Sequence, residues 1–345
     1  MAPMLQRRAL PVIDLTASLQ PDAGARALTA DLTAARIDQA CRQHGFFYIS
    51  GHGIAQARID DAYAASRAFF ALPEDTKDRW HIRHSNIKRG FDPVGWQSLD
   101  PGRPHDLKES FYLGVDRPPH DPLVLAGTPN HGPNQWPDEP LVPGFRYAME
   151  AYAAALDGLS RHLMGLLAIG LGLDARYFDA CLRDPMPVLR LLHYPPQPPA
   201  LPDGQLGCGA HTDWGGITLL AQDAAGGLQV QADDGEWIDA PPIPGTLVVN
   251  LGDMIARWTN DRYRSTLHRV TQPQAARERY SMAWFFDVDY HTVVEPLAVC
   301  VDHAHPPRYD RTTAGEHLIE MYRRTTTPVL APAAARETTI ASASA

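Results

Sequence analysis

The ten residues HTDWGGITLL, His211 to Leu220, decide how this chain is read. Ile217 to Leu220 is β-prone, and Gly215 with Gly216 punctuates the chain just before it, so a strand is expected to open here. In an extended chain residues two apart project to the same side, which lets His211 and Asp213 share one ligand. An isolated His-x-Asp is also consistent with a structural hydrogen-bonded pair. The residues around it bear on the choice.

A second histidine, His268, sits in STLHRV, residues 265–270, another short β-prone run. Two His and one carboxylate on neighbouring strands match the facial triad of non-haem Fe(II) oxygenases, which leaves coordination positions open for oxygen and substrate. Beyond it, Arg279-Tyr280-Ser281 opens a strand running through Trp284. Arg279 and Ser281 share a face, and a guanidinium fork beside a hydroxyl makes a clamp for the carboxylate of a small acid.

Around these residues the chain is a series of short β-prone runs separated by Gly, Pro and Asp. They are Val188–Tyr194, Ile217–Gln222, Leu228–Gln231, Glu236–Ile238, Thr246–Leu251, Thr266–Val270 and Tyr280–Asp287, a spacing expected of a sandwich or barrel. The part before residue 188 reads differently. Helical spacing predicts helices over Ala25–His44, Ala55–Leu72 and Gly144–Leu173, the last ended by Gly170 and Gly172. Strands are expected at Pro11–Leu15, Gly45–Gly51 and Leu107–Gly114, with irregular Pro-rich stretches at 79–106 and 118–143. One catalytic domain over 1–325 is expected, helix-rich to about residue 187 and β-rich over about 188–300. The Ala-, Thr- and Ser-rich segment 326–345 is expected to be a disordered tail.

The 345 residues are 44% hydrophobic and 21% charged, which excludes disorder of the whole chain. Thirty-one Lys and Arg against 40 Asp and Glu leave a formal charge of −9, which disfavours a nucleic-acid partner. The longest apolar stretches are too short and too Gly-rich for a membrane span. Cys41, Cys181, Cys208 and Cys300 form no CxxC pair, so reduced thiols are expected rather than a zinc knuckle or a disulfide framework. Without an apolar run of signal-peptide type after Arg7 and Arg8, a cytoplasmic location is expected.

The chain resembles the isopenicillin N synthase-like branch of the Fe(II)/2-oxoglutarate-dependent oxygenases from Pro11 to about Pro296. The resemblance rests on GFFYISGHG (45–53), LRLLHYPP (189–196), the HTD segment, NLGD (250–253) and RYS (279–281). It implies a double-stranded β-helix, or jelly roll, with helices along one side. It makes His211, Asp213 and His268 the iron ligands and sets Arg279 and Ser281 on the far carboxylate of 2-oxoglutarate. Tyr194 matches a tyrosine that lines the co-substrate pocket. The implied reaction consumes O2 and 2-oxoglutarate, releases succinate and CO2, and oxidises a small organic molecule.

Two other readings stay open. Some members of this branch keep the same residues without using 2-oxoglutarate, so an iron-dependent oxidase whose substrate acid fills the clamp is one. A jelly-roll protein that binds a small acid without turnover is the other. The segment 189–270 is similar to thymine hydroxylase-like proteins, which makes a pyrimidine one substrate candidate. For substrate contact the candidates are Trp214, Arg190 and Phe286. Phe286 has the opposite parity to Ser281 and reaches the pocket only through a bulge; packing is its alternative, as an ion pair at the core margin is for Arg190. In this family the N-terminal region often closes over the iron, which points to the loop Asn86–Gln97. Asn250–Asp253 is expected to be a structural turn, and the histidines at 81, 84, 303 and 305 to be solvated.

Overall fold

Strands apolar on both faces need a layer on each side, and several strands of this chain are of that kind. In the computed structural model, which describes residues 9–20, 23–96, 104–196, 204–271 and 277–325 (side chains excepted at 23–28 and 324–325), they form the centre of an eight-stranded sheet. Its strands are β1 (Val12–Asp14), β2 (Phe46–Ser50), β3 (Gly90–Asp92), β4 (Glu109–Gly114), β5 (Val188–Tyr194), β7 (Ile217–Gln222), β10 (Thr246–Leu251) and β12 (Arg279–Phe286), in the order β1-β2-β10-β7-β12-β5-β4-β3. Only the β1–β2 pair is parallel. A four-stranded sheet, β6 (Cys208–His211), β11 (His268–Val270), β8 (Leu228–Gln231) and β9 (Trp237–Asp239), covers one face.

Alternation divides the side chains between two cores. Toward the small sheet, Phe46, Tyr48, Leu192, Tyr194, Val248 and Ala283 meet Cys208, Leu228, Val230 and Val270, the jelly-roll interior. On the other face Phe47, Leu189, Leu191, Leu219, Val249, Trp284 and Phe286 pack in a larger core with the helices. Those helices are α1 (Ala23–Gln43), α2 (Gln56–Phe70) and α3 (Phe145–Gly170). The Ala- and Leu-rich α3 spans about 39 Å at 1.5 Å per residue. It buries Tyr152, Leu156, Leu159, Leu163 and Leu167, and its Ser160 Oγ accepts a hydrogen bond from Trp284 Nε1 at 3.0 Å.

Several elements differ from expectation. The stretch 79–106, read as irregular, contributes β3 at the sheet edge, and Cys208–His211 forms β6. The NLGD turn continues into a short helix, α4 (Asp253–Trp258), and a further amphipathic helix, α5 (Ala314–Thr325), with Leu318, Ile319, Met321 and Tyr322 at helical spacing, lies where none was expected. Strand β11 begins at His268 rather than Thr266. All four cysteines are free thiols. The tail expected at 326–345, and Gln97 at the end of the 86–97 loop, lie outside the described residues. Among the described residues no helix is long and apolar enough to cross a membrane.

Candidate metal and co-substrate site

His211 and His268 are directly opposed across the antiparallel β6–β11 pair, with ring centroids 4.3 Å apart. Each Nδ1 faces a backbone carbonyl, Gly209 O at 2.8 Å and Thr266 O at 3.1 Å. A carbonyl only accepts, so each Nδ1 carries the proton and each Nε2 presents a lone pair. Asp213 lies in the turn after β6. Its Oδ1 is 3.8 Å from His211 Nε2 and 3.7 Å from His268 Nε2. These three side chains are a group whose donor atoms all lie within 4.8 Å of one another.

The second carboxylate oxygen is held from behind. Asp213 Oδ2 accepts from Thr218 Oγ1 at 2.5 Å and from Asn250 Nδ2 at 2.7 Å, which leaves Oδ1 to the histidines. The two motif turns dock backbone to backbone: Asp253 N donates to Asp213 O, Met254 N to Gly215 O and Gly252 N to Gly216 O. A Cβ on Gly252 would lie 2.3 Å from Gly215 O, so the approach requires glycine. The NLGD segment, expected to be structural only, therefore carries a direct partner of Asp213. Thr212 Oγ1 adds a bond to Asp253 Oδ2 at 3.2 Å.

Burial pushes the His268 imidazole down to about 4 and lowers His211 as well, so both rings are neutral at pH 7. Burial opposes the charge on Asp213, yet His268, His211, Asn250 and Thr218 together outweigh it and hold the carboxyl below its usual range. Two neutral imidazoles and one carboxylate are the donor set of a facial Fe(II) site.

Arg279 and Ser281 lie on the inner face of β12, across the jelly roll. Arg279 Nε donates to Gly226 O at 2.7 Å and Nη1 to Ser281 Oγ at 2.9 Å, and its guanidinium stacks over the Tyr194 ring at 4.6 Å. Nη2 is buried with no protein partner among the described residues. An unpaired donor on a buried guanidinium is costly, and an anion's oxygen satisfies it. Burial pushes the Tyr194 hydroxyl up to about 12, so it stays protonated.

The three substrate candidates separate. Trp214, half-buried, meets the Tyr322 ring edge-on at 5.1 Å, and its carbonyl lies 2.8 Å from His317 Nε2, both partners being on α5. Arg190 points to the inner face, bound to Ser110 Oγ at 2.9 Å, 3.7 Å from Asp92 Oδ2 and stacked over Tyr112 at 4.6 Å. Phe286 is placed in the larger core instead, because β12 stays in unbroken register with β5 and β7 and no bulge turns it. Its neighbour Phe285 occupies the inner face, where it packs against the smaller core. Parity along β12 from Arg279 was the signal for Phe285.

The family follows from both sequence and structure comparison. The model described as the N-terminal region of a non-haem dioxygenase in morphine synthesis matches residues 10–139, and that of the 2OG-Fe(II) oxygenase superfamily matches 185–288. The chain belongs to the 2OG-Fe(II) oxygenase superfamily, in its isopenicillin N synthase-like branch, and is a 2-oxoglutarate-dependent Fe(II) dioxygenase. It is 41% identical over 326 residues to the 2-oxoglutarate-dependent dioxygenase citB of Monascus ruber, covering 92% of this chain and 95% of that one. It also resembles a full-length Neurospora crassa protein solved with alpha-KG and thymine, with a TM-score of 0.80, 30% identity and coverage of 92% and 97%. JOX2, solved with 2OG, Fe and JA, gives a TM-score of 0.72 at 29% identity, with coverage of 92% and 84%. The enzyme is thus an oxidant of small molecules that uses Fe(II), O2 and 2-oxoglutarate.

Proposed function

We propose that His211, Asp213 and His268 hold the Fe(II), and that Arg279 and Ser281 hold the distal carboxylate of 2-oxoglutarate, with Tyr194 lining the pocket beneath the Arg279 guanidinium. The observation that carries this is the pairing of three converging donor atoms on one wall with an unpartnered buried guanidinium nitrogen on the other. Iron bound there supplies the coupled reduction of O2 and oxidative decarboxylation of the keto acid; one oxygen atom enters succinate, the other the substrate, and CO2 leaves. The protein's share is positional. Gly209 and Thr266 carbonyls fix the imidazole tautomers, Asn250 and Thr218 orient the carboxylate, and Ser281 and the Gly226 carbonyl aim the Arg279 fork. Phe285 and Arg190 on the inner face of the large sheet, and Trp214 next to Asp213, are the side chains proposed to meet the substrate. The thymine in the N. crassa neighbour supports a small planar substrate and makes thymine itself one probe. Four free thiols agree with a cytoplasmic location.

The test is succinate formation by purified, Fe(II)-loaded protein in air with 2-oxoglutarate. Slow succinate release that disappears in His268→Ala, together with loss of bound iron in that variant, is expected. An anaerobic Fe(II) protein that develops no visible absorption band on adding 2-oxoglutarate would sink the assignment.

A further inference from the structure

The residues leading away from Asp213 across the inner face of the large sheet form one row in register: Asn250, Thr218, Phe285, Val188 and Gly114. Thr218 and Asn250 bind Asp213, and Phe285 follows as a partly exposed aromatic floor. The row ends at Gly114, where a Cβ would lie 2.2 Å from Arg89 Nη2. The glycine makes room for the segment that precedes β3.

That segment is held so as to present one side chain. Lys88 adopts φ +57°, in the left-handed region that non-glycine residues seldom enter. The residues on either side enforce it. Ser85 Oγ accepts from the backbone N–H of both Ile87 and Arg89, while the Arg89 guanidinium donates to Ile87 O and Asn130 O. Arg89 is 5% exposed and its Nε has no partner among the described residues. Lys88, only half-buried, carries its ammonium over the Tyr322 ring, 3.3 Å from the centroid. Tyr322 in turn touches Trp214, the residue after Asp213. Among the described residues no carboxylate pairs with Lys88, whereas the other acids of this wall have partners: Asp92 lies against Arg190, Asp106 against Lys108, and Asp287 accepts from Gly216 N.

We infer that Lys88 is a specificity-determining residue of the site, and that the substrate is an organic carboxylate whose anionic group meets the Lys88 ammonium while its hydrocarbon part lies over Phe285. This rests on the iron and co-substrate assignment above and adds the charge of the substrate to it. Backbone held in an unfavoured conformation, an ammonium without a paired carboxylate among the described residues, and an aromatic residue in the row that runs from the partners of Asp213 to Gly114, beside the segment carrying Lys88, together describe a receptor for a small acid. Burial lowers Lys88 to about 8, which leaves it mostly protonated at pH 7.

The experiment uses matched probes that differ in charge: indole-3-acetate with indole-3-acetamide, benzoate with benzamide, and orotate with uracil. Each is titrated into Fe(II)-loaded protein with 2-oxoglutarate in air while succinate is measured. For at least one pair the acid is expected to accelerate succinate formation at a tenfold or more lower concentration than its neutral partner. Lys88→Met is expected to erase that preference by raising the acid's half-maximal concentration tenfold or more, and Lys88→Arg to keep it. The acid-to-neutral ratio separates recognition from a merely structural Lys88–Tyr322 strap, whose loss shifts both probes alike. Equal response to acid and neutral probe, no response to any acid, or a preference that survives in Lys88→Met overturns the inference. Absence of the anaerobic 2-oxoglutarate absorption band in the wild type would instead overturn the reading on which it rests.

Discussion

At the residue scale, the site divides into groups that meet ligand and groups that aim them, and each kind has its own expected phenotype. Removing Arg279 takes away charge-assisted hydrogen bonds of about 1.5 to 3 kcal/mol. Arg279→Ala should therefore retain iron and raise the 2-oxoglutarate concentration for half-maximal succinate formation roughly tenfold to a hundredfold; metal analysis alongside the titration checks both halves. The Asn250 amide donates to Asp213 Oδ2, so Asn250→Ala should weaken Fe(II) binding by about 10- to 100-fold. Asp287 offers a pH signature. Its buried carboxyl is pushed up to about 6 by burial, against an ordinary 3.8. A raised carboxyl pKa means that stability present below pH 4 is lost as pH climbs through 6. In metal-free protein Asp287→Asn should raise the melting temperature above pH 6, by the equivalent of about 3 kcal/mol at most, and the gain should vanish near pH 4. A gain independent of pH would contradict this.

Residues two apart in sequence are the ones a linear reading finds with least trouble. His211, Asp213, Arg279 and Ser281 stand out because a spacing of two puts each pair on one side. Asn250 did not, since Asn-Leu-Gly-Asp has the composition of a turn, and its side chain's target is 37 residues away in sequence. Phe286 was weighed where Phe285 belongs because a bulge was allowed for; the register has none.

At the element scale, β12 serves both cores. Its odd positions, Arg279, Ser281, Ala283 and Phe285, line the jelly-roll interior, while Met282, Trp284 and Phe286 anchor the helices. Elements with strong periodicity, such as α3 and β5, were legible to within three residues. Strand β3, β6 and helix α5 were not, because three- or four-residue strands carry too little pattern and α5 is held by what Trp214 and Lys88 offer its Tyr322. Glycines give a direct comparison at this scale. Gly252→Ala would push a methyl into the Gly215 carbonyl and should cost about 1 to 3 kcal/mol along with iron affinity. Gly158, exposed on α3 with nothing within 4 Å of an added Cβ, should gain up to about 1 kcal/mol as alanine. Denaturant midpoints of the two variants should move in opposite directions.

At the scale of the whole molecule, the helical layer is fastened to the sheet through aromatic rings. Phe69 of α2 contacts Phe70, Trp80, Phe91, Phe111 and Phe145, so one side chain joins α2, α3, β3 and β4. Phe69→Ala should cost about 3 to 5 kcal/mol. Because that cluster lies behind the sheet, the Fe(II) affinity of the folded fraction should stay at the wild-type value, and a parallel loss of affinity would show the two layers to be coupled. The general architecture was readable from run lengths and turn residues. The way the two faces of one sheet divide the labour was not, since it depends on which strands become neighbours.

His211 and His268 stand on the small sheet, Asp213 in the turn that follows β6, and the Arg279 fork on the large sheet. Packed sheets keep a separation of about 10 Å, set by the side chains between them. In the proposed arrangement the span from the metal donors to the Arg279 fork is a calliper opening set by the bulk of residues such as Leu192, Val230 and Val270, which fill the space between the sheets. On that arrangement a dicarboxylate one carbon shorter or longer is expected to reach only one jaw, so preference for the five-carbon keto acid should respond to changes in the filling of the barrel as well as to changes in the clamp.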